Sequence, residues 1–499
     1  MNILCIALVG YRTNYIIYNT DEKKIKYYSA EQYFDIKKAT MSAEQIIVKA
    51  TKKNKIKNID VLIFSACDLG EAFLSKQEIY KEYINLFNED FKLKKARIFF
   101  IDHHYAHVLS SYCLNKNATD GIAIDAAGSY RRRVSIFKNI NDIKNTKLIL
   151  DESDKAIGAF FNALSKASGV GEIGKLMGLQ SYGKLNDKLY NNLTKIGIYN
   201  EQAFTFFLER IFNKINLSKD GNFDDVYTCH KFAIDEAFKI FKKYFNENEQ
   251  IAFGGGCALS IPLNSLLLKN NFDITVCPAA NDSGISIGCL KFADMLFNLN
   301  IDFSNLVFSN NLFNAGNISD EKIKIAAQLL ANNNIIAWCQ GDAEVGPRAL
   351  GRRSFLMNPS INNGKDFINN KIKHREWWRP FGGTIINVNI LKNFKQSNLD
   401  TFMLRTFEFK DEFKKNFQSI IHVDGTSRLQ ILNNINDPFY KLIYEFYKLT
   451  GIPGLLNTSY NLGGKPIANS IKSIFETYNK TSDLNYLFFG DELYEQHCL

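Results

Sequence analysis

Short apolar runs, each closed by turn-forming residues and separated by stretches of helical spacing, recur along this chain and limit its fold more than any other feature. Residues 3–9 (ILCIALV) read as a first core strand. Residues 15–18 and 24–28 follow across Asn19, Thr20 and Asp21, which makes a strand meander. Residues 42–53 have helical spacing, 61–65 form a buried strand, 76–87 a helix and 97–101 another strand. Strand and helix in alternation is the pattern of an α/β domain. At 499 residues there is material for roughly two to four domains.

Composition narrows the class further. Hydrophobic residues at 46% and charged residues at 23% are ordinary for a soluble globular protein. The net charge of +9 is mild over this length. It suits small anionic substrates, and without a block of like charges no nucleic-acid arm is expected. The nine cysteines form no C-x-x-C pair and are odd in number, which reads as buried reduced thiols in a cytoplasmic protein. The N-terminus lacks a basic n-region, and no apolar run is long enough to span a membrane.

Several strand ends carry chemistry. The strand at 97–101 ends in DHHYAHVLSSYCL, with His103 and His107 four residues apart. On a helix both imidazoles share one face and can share a metal; helix capping and local hydrogen bonds are the alternative. The strand at 119–127 ends in Asp125, Ala126, Ala127, Gly128 and Ser129, a turn suited to a phosphate or a metal-bridged phosphate. Residues 134–137 return as the other arm of a hairpin, and 160–167 read as a short helix. Residues 168–184 hold five glycines and Lys175, which reads as a loop that approaches a ligand or as a loosened surface loop. Residues 186–250 read as helical scaffold. QIAFGGGCALS runs a strand into Gly254, Gly255 and Gly256 and then a helix from about Ala258, an anion site made of amides. It matches neither the dinucleotide fingerprint nor a P-loop. Asp282, at the tip of the strand 272–278, is the candidate third metal ligand. The weak pattern of 297–320 places a domain boundary there, giving domains 1–310 and 311–499.

The second domain opens with a helix at 321–331 and a buried strand at 335–339. Then comes GDAEVGPRALGRRS, with Arg348, Arg352 and Arg353. A guanidinium offers a fixed fork of donors to phosphate or carboxylate, and Gly346 and Gly351 let backbone approach a ligand. A solvated basic loop is the competing reading. Lys371, Lys373, Arg375 and Arg379 extend the cationic set, and Trp377, Trp378 and Phe381 either stack a flat ring or pack. HVDGTSRLQ adds Arg428, residues 437–450 form an amphipathic helix, and GLLNTSYNLGGKPI sets Asn457, Thr458, Ser459 and Asn461 at a strand end.

Taken in order, HHYAH, GKLMGLQSYG, GGGCALSIPLN, NDSGISIG, GPRALGRRS, HREWWRPF, HVDGTSRLQ and LNTSYNLGGKP resemble the NodU/CmcH-type O-carbamoyltransferase family. That family is related to hydrogenase-maturation carbamoyltransferases and tRNA threonylcarbamoyl transferases. The resemblance implies an actin/hexokinase-like first domain with two ribonuclease-H-like halves, and a YrdC-like second domain. The second would make carbamoyl-adenylate from carbamoyl phosphate and ATP with Mg2+. The first would pass the carbamoyl group to a hydroxyl or amine of a small-molecule or carbohydrate acceptor. By the same resemblance His103, His107 and Asp282 hold Fe2+ or another divalent metal, with His104 a candidate base. Asp125, Lys175, Gly254, Gly255 and Gly256 handle nucleotide. Arg348 and Arg353 act in catalysis, while Ser354, Lys373, Arg375, Arg428, Asn457 and Ser459 hold carbamoyl phosphate and the adenylate. No nucleic-acid or membrane partner is implied, and a homodimer is left open.

The chain departs from the family pattern in places. Tyr11, Arg12, Thr13 and Asn14 stand where the family carries a His-Asp-Ser/Ala turn. Ala126 and Ser129 replace a glycine and a carboxylate, and Arg352 stands where relatives mostly have Asn or His. Two other readings share the architecture: a tRNA-modifying threonylcarbamoyl-type transferase, and a non-catalytic nucleotide-binding protein.

Overall fold

The computed structural model describes residues 1–8, 12–54, 56, 58–66, 80–84, 96–128, 131–152, 154–212, 215–392 and 401–496. Tyr11 and Ser129 lie outside them. The chain forms two compact units, Met1–Phe34 with Lys38–Val307, and Asp35–Lys37 with Phe308–Leu499.

The first unit repeats one connectivity. Strands β1 (Asn2–Leu8), β2 (Asn14–Asn19) and β3 (Lys24–Ser29) form an antiparallel meander. On the far side of β1, β4 (Val61–Ala66) adds in parallel, and β5 (Tyr80–Ile84) caps β6 (Arg97–Ile101), which itself runs parallel to β4. The second sheet repeats this plan. Strands β7 (Asp120–Ile124), β8 (Val134–Lys138) and β9 (Lys147–Glu152) are the meander, and β10 (Gln250–Gly254) and β11 (Asp273–Val276) add in parallel beyond β7. The second sheet has the order third-second-first-fourth-fifth, and the first follows the same plan with β6 in the fifth place and β5 added outside it, which is the duplicated, actin/hexokinase-like plan that the family resemblance implies.

Two helices sit between these sheets. His103–Tyr112 packs on β7 and β10, Ile285–Phe297 packs on β1 and β4, and the two helices pack on each other. All ten residues of His103–Tyr112 are buried, so its imidazoles are fixed by packing on every side. The close approach needs Gly288, where an added Cβ would lie 1.9 Å from the Ala106 carbonyl oxygen. Asp102 caps the histidine helix by accepting from the Tyr105 amide at 2.9 Å, and Arg132 donates to it at 2.7 Å.

Three expectations are corrected here. Residues 80–84 are a strand, not part of a helix, because pairing with β6 overrides local preference. Residues 168–184 are not a glycine loop: they contain the helix Ile173–Leu179 and a 3-10 turn Gln180–Tyr182. After the three glycines a 3-10 turn, Gly256–Leu259, comes first, and the α-helix starts only at Ile261, with Pro262 in its first turn. Among the described residues no helix is long and apolar enough to cross a membrane, and seven cysteines are free and buried.

The second unit is built on a mixed sheet. Its strands, in chain order, are β12 (Asn310–Asn314), β13 (Ile336–Cys339), β14 (Asp342–Ala343), β15 (Arg353–Met357), β16 (Gly382–Ile385), β17 (Thr406–Phe407), β18 (Ser427–Ile431), β19 (Gly454–Ser459), β20 (Tyr486–Phe489) and β21 (Glu492–Glu495). The main sheet runs β17-β18-β16-β19-β15-β13-β20-β21. Helices Asp320–Ala331 and Pro438–Thr450 pack together, and Trp338, Phe355, Leu442 and Phe446 lie in the core. Register decides which side chains meet. Arg428 opposes Gly382, Gly382 opposes Asn457, Asn457 opposes Leu356, and Ser354 opposes Ser459. Arg428, Asn457 and Ser354 therefore share a face, and Arg353, one residue from Ser354, points to the other.

Candidate functional site

Four donors converge in the first unit. His103 and His107 are one helical turn apart with Nε2 atoms 3.1 Å from each other. Asp125, just past β7, brings Oδ2 to 3.0 Å from His107 Nε2 and 4.0 Å from His103 Nε2. Asp282 brings Oδ1 to 3.5 Å from His103 Nε2 and 3.7 Å from His107 Nε2. Ligands about 2.0–2.2 Å from one metal lie roughly 3–3.5 Å apart, so these spacings fit a single ion. Two imidazoles and two carboxylates suit iron, zinc or manganese. Burial pushes the Asp282 carboxyl up, but the hydrogen bond from His103 and the charges of His103, His107 and Arg12 outweigh it, leaving the group below the usual carboxylate range. Asp125 is thus gathered with the metal donors, a placement that the sequence offered only as a metal-bridged phosphate turn. Its acid at a strand tip was the available signal.

The glycine turn serves this cluster through backbone. An added Cβ at Gly254 would meet the His107 carbonyl at 2.5 Å, and one at Gly256 would lie 3.1 Å from Asp125 Oδ1. Gly255 has φ +87°, a left-handed conformation that favours glycine. His104 is placed differently from the base expected of it. It is fully buried, its Nδ1 lies 2.7 Å from Ser135 Oγ, and its Nε2 lies against Gly128. Burial first, then His103, His107 and Arg132, push its pKa well below the usual imidazole value, so it is neutral. His104 supports the 125–128 turn and is not a donor in the cluster. Lys175 sits on the helix Ile173–Leu179 with Glu172 at 3.8 Å, on an ordered element in place of the expected loop.

In the second unit the arginines separate into two roles. Glu344, buried at 1% exposure, accepts from the amides of Leu350, Arg352 and Arg353 at 2.7, 2.8 and 3.1 Å, and so shapes the arginine loop. Gln430 and Asn457 donate to the Leu350 and Ala349 carbonyls at 2.9 and 3.2 Å. Sequence reading gave Glu344 no role, because a carboxylate that accepts only from backbone leaves no side-chain pattern. Arg353, assigned to catalysis from the sequence, is fully buried and donates to the carbonyls of Gln340, Arg352, Gly341 and Phe313 at 2.7–3.1 Å. It braces the sheet on the face away from Ser354. Arg352 pairs with Asp437 at 3.1 Å and lies over Phe308 at 4.5 Å. Lys373 is also enclosed: its Nζ donates to the Ser459 and Asn461 carbonyls at 2.6 and 2.9 Å and to both side chains.

What is left forms a cation cluster. Burial, then Arg348, Arg375 and Arg379, hold the Arg428 guanidinium well below its usual value. Arg375 is lowered in the same way by burial and Arg379, though Glu376 opposes this; its Nε donates to Asn369 at 2.7 Å, and its guanidinium lies over Phe381 at 4.4 Å. The Arg428 Nε, Asn457 Oδ1 and Ser354 Oγ atoms are buried without a hydrogen-bond partner among the described residues. Buried cations near unmet polar atoms fit an anion that the unit accepts from outside. Trp378 is buried edge-to-face against Trp377, with ring centroids 5.6 Å apart, so it packs rather than stacks a ligand.

A cluster of metal-type donors on a duplicated α/β unit and an arginine cluster beside unmet polar atoms on a second unit are the two candidate centres of this chain. The chain belongs to the carbamoyltransferase family: residues 13–290 match the model described as the carbamoyltransferase N-terminus, and 327–496 the one described as its C-terminus. It is 28% identical over 443 residues to nodulation protein NolNO of Sinorhizobium fredii, covering 80% of this chain and 64% of that protein. With the uncharacterized protein MJ1051 of Methanocaldococcus jannaschii it shares 29% over 485 residues, covering 88% and 90%. With nodulation protein U of Azorhizobium caulinodans it shares 35% over 230 residues, covering 44% and 41%.

Proposed function

We propose that this protein is an ATP-dependent O-carbamoyltransferase that takes its group from carbamoyl phosphate and gives it to a hydroxyl or amine of a small-molecule or carbohydrate acceptor. The face shared by Arg428, Asn457 and Ser354, whose buried polar atoms have no partner among the described residues and which lies in the field of Arg348, Arg375 and Arg379, carries the reading. Such a cluster is relieved by a polyanion, and carbamoyl phosphate with ATP brings several negative charges. In this reading the second unit is YrdC-like and forms carbamoyl-adenylate. Ser354 Oγ and Asn457 Oδ1 lie on the Arg428 face, where they can hold the carbamoyl amide or a ribose hydroxyl. Lys373 and Arg353 keep the turns that carry this face in place. The residues that would hold a divalent metal, for which iron fits, are His103, His107, Asp125 and Asp282. When bound, that ion supplies charge to hold a phosphate and polarise a carbonyl. The amides of Gly254, Gly255 and Gly256 approach the same region for a nucleotide accompanied by Mg2+.

The test is carbamoyl-phosphate-dependent release of pyrophosphate from ATP by the full chain. Arg428→Ala is expected to lower that release about 100-fold, the usual effect of removing a preorganised donor. His107→Ala should leave release intact and abolish transfer to acceptor. Release that ignores carbamoyl phosphate, or that survives Arg428→Ala, would overturn the reading.

A further inference from the structure

Asp282 stands at a junction: it follows β11 of the second sheet and leads toward the first. His103 and His107 lie on the helix packed on the second sheet, and Asp125 follows β7 of that sheet. Asp282 opens the 3-10 turn Asp282–Gly284, which leads into the helix packed on the first sheet. A three-residue turn has little rigidity of its own. Contacts from the first sheet can set where this carboxylate stands.

Two buried side chains of the meander do so. Asn14, the first residue of β2, is 1% exposed. Its Nδ2 donates to the Asp282 carbonyl at 2.8 Å and to the Arg12 carbonyl at 2.9 Å. Its Oδ1 accepts from the Ser286 amide at 3.3 Å and from the Ser286 hydroxyl. Both donors and both acceptor sites of the amide are engaged. Tyr27 of β3 is 2% exposed and donates its hydroxyl to the Ser283 carbonyl at 2.9 Å. Asn14 opposes Ser29 and Ile16 opposes Tyr27, so the two side chains leave the same face one step apart. They grip consecutive residues, Asp282 and Ser283.

We propose that Asn14, aided by Tyr27, is a positioning residue for the metal centre: it fixes Asp282 relative to His103, His107 and Asp125, and so sets metal affinity. The inference rests on the metal reading of the cluster. Partners that orient a metal's ligands change affinity without touching the ion, usually by about 10–100-fold. Asn14, one of the residues that depart from the family pattern, thereby gains a role at the donor cluster.

The test uses the full chain stripped with a chelator and titrated with Co2+ or, without oxygen, Fe2+, against a competing chromophoric chelator. Asn14→Ala is expected to weaken binding about 10–100-fold and to alter the Co2+ absorption bands, and excess metal should restore occupancy. Tyr27→Phe should weaken binding less, in the same direction. Ser286→Ala leaves the donor to Asp282 in place and should stay within about twofold of wild type. Wild-type affinity in Asn14→Ala would overturn the proposal, even with a lowered Tm. If that variant fails to fold, Tyr27→Phe decides, and unchanged affinity there overturns it. A wild-type protein that binds no metal would sink the metal reading itself, a result distinct from the others.

Discussion

The metal-type cluster of the first unit and the arginine cluster of the second are made of side chains that any reader of the sequence would single out, yet the fold treats them differently. In the first unit the polar residues converge. His103, His107, Asp125 and Asp282 bring their ligand atoms within 4.8 Å of one another. In the second, residues of one type are divided. Arg353 and Lys373 are enclosed by protein oxygens, Arg352 and Arg379 are each paired with a carboxylate, and Arg428 is pressed by the charges of Arg348, Arg375 and Arg379. Convergence in the first unit depends on close approach of backbone at glycines. Division in the second depends on strand alternation. A charged residue beside a functional one on a strand points the other way.

That contrast can be broken first at Gly288. Gly288→Ala drives a methyl into the Ala106 carbonyl and pushes away the helix that carries both histidines. The expected loss is about 3 kcal/mol, the upper end of overpacking, together with weakened metal binding. Thermal denaturation and metal titration would show both, and a tolerant protein would mean the site does not depend on that contact.

The next effect separates two arginines. Arg353→Ala leaves several buried carbonyls without a donor and should cost about 2–3 kcal/mol in a denaturant titration. Arg428→Ala removes one of a set of repelling cations, so the ligand-free Tm should stay at or above that of wild type even as activity falls. Equal destabilisation by the two would erase the distinction between brace and ligand site.

The smallest effect lies away from both sites. His230 is buried against Phe161, and burial pushes its pKa down from 6.5 to about 4. The folded state therefore resists a proton that the unfolded chain accepts. The stability this represents is complete above pH 6.5 and is lost as the pH falls toward about 4. In a series of melts across that range, Tm should fall more steeply for wild type than for His230→Leu.

Much of the first unit was legible. The buried runs gave the first meander and the hairpin of β7 and β8, though not β9, and the four-residue spacing of His103 and His107 gave their shared face. The stretch at 80–84 was misread because its pairing partner lies elsewhere in the chain, and periodicity over a few residues does not report on partners. The stretch at 173–179 was misread because its glycines argue for a loop, whereas the packing of neighbouring helices holds it helical.

By itself the sequence determined which residue types are present, how they are spaced along each element, and which turns need glycine, because these follow from local geometry. Tertiary structure alone decided which arginine is enclosed by carbonyls, that His104 faces Gly128 and Ser135, and that Glu344 shapes the arginine loop. It also brought Asn14 to Asp282 across 268 residues. Each of these turns on the direction of a side chain across a sheet or between two helices, and that direction is fixed only when distant strands come into register.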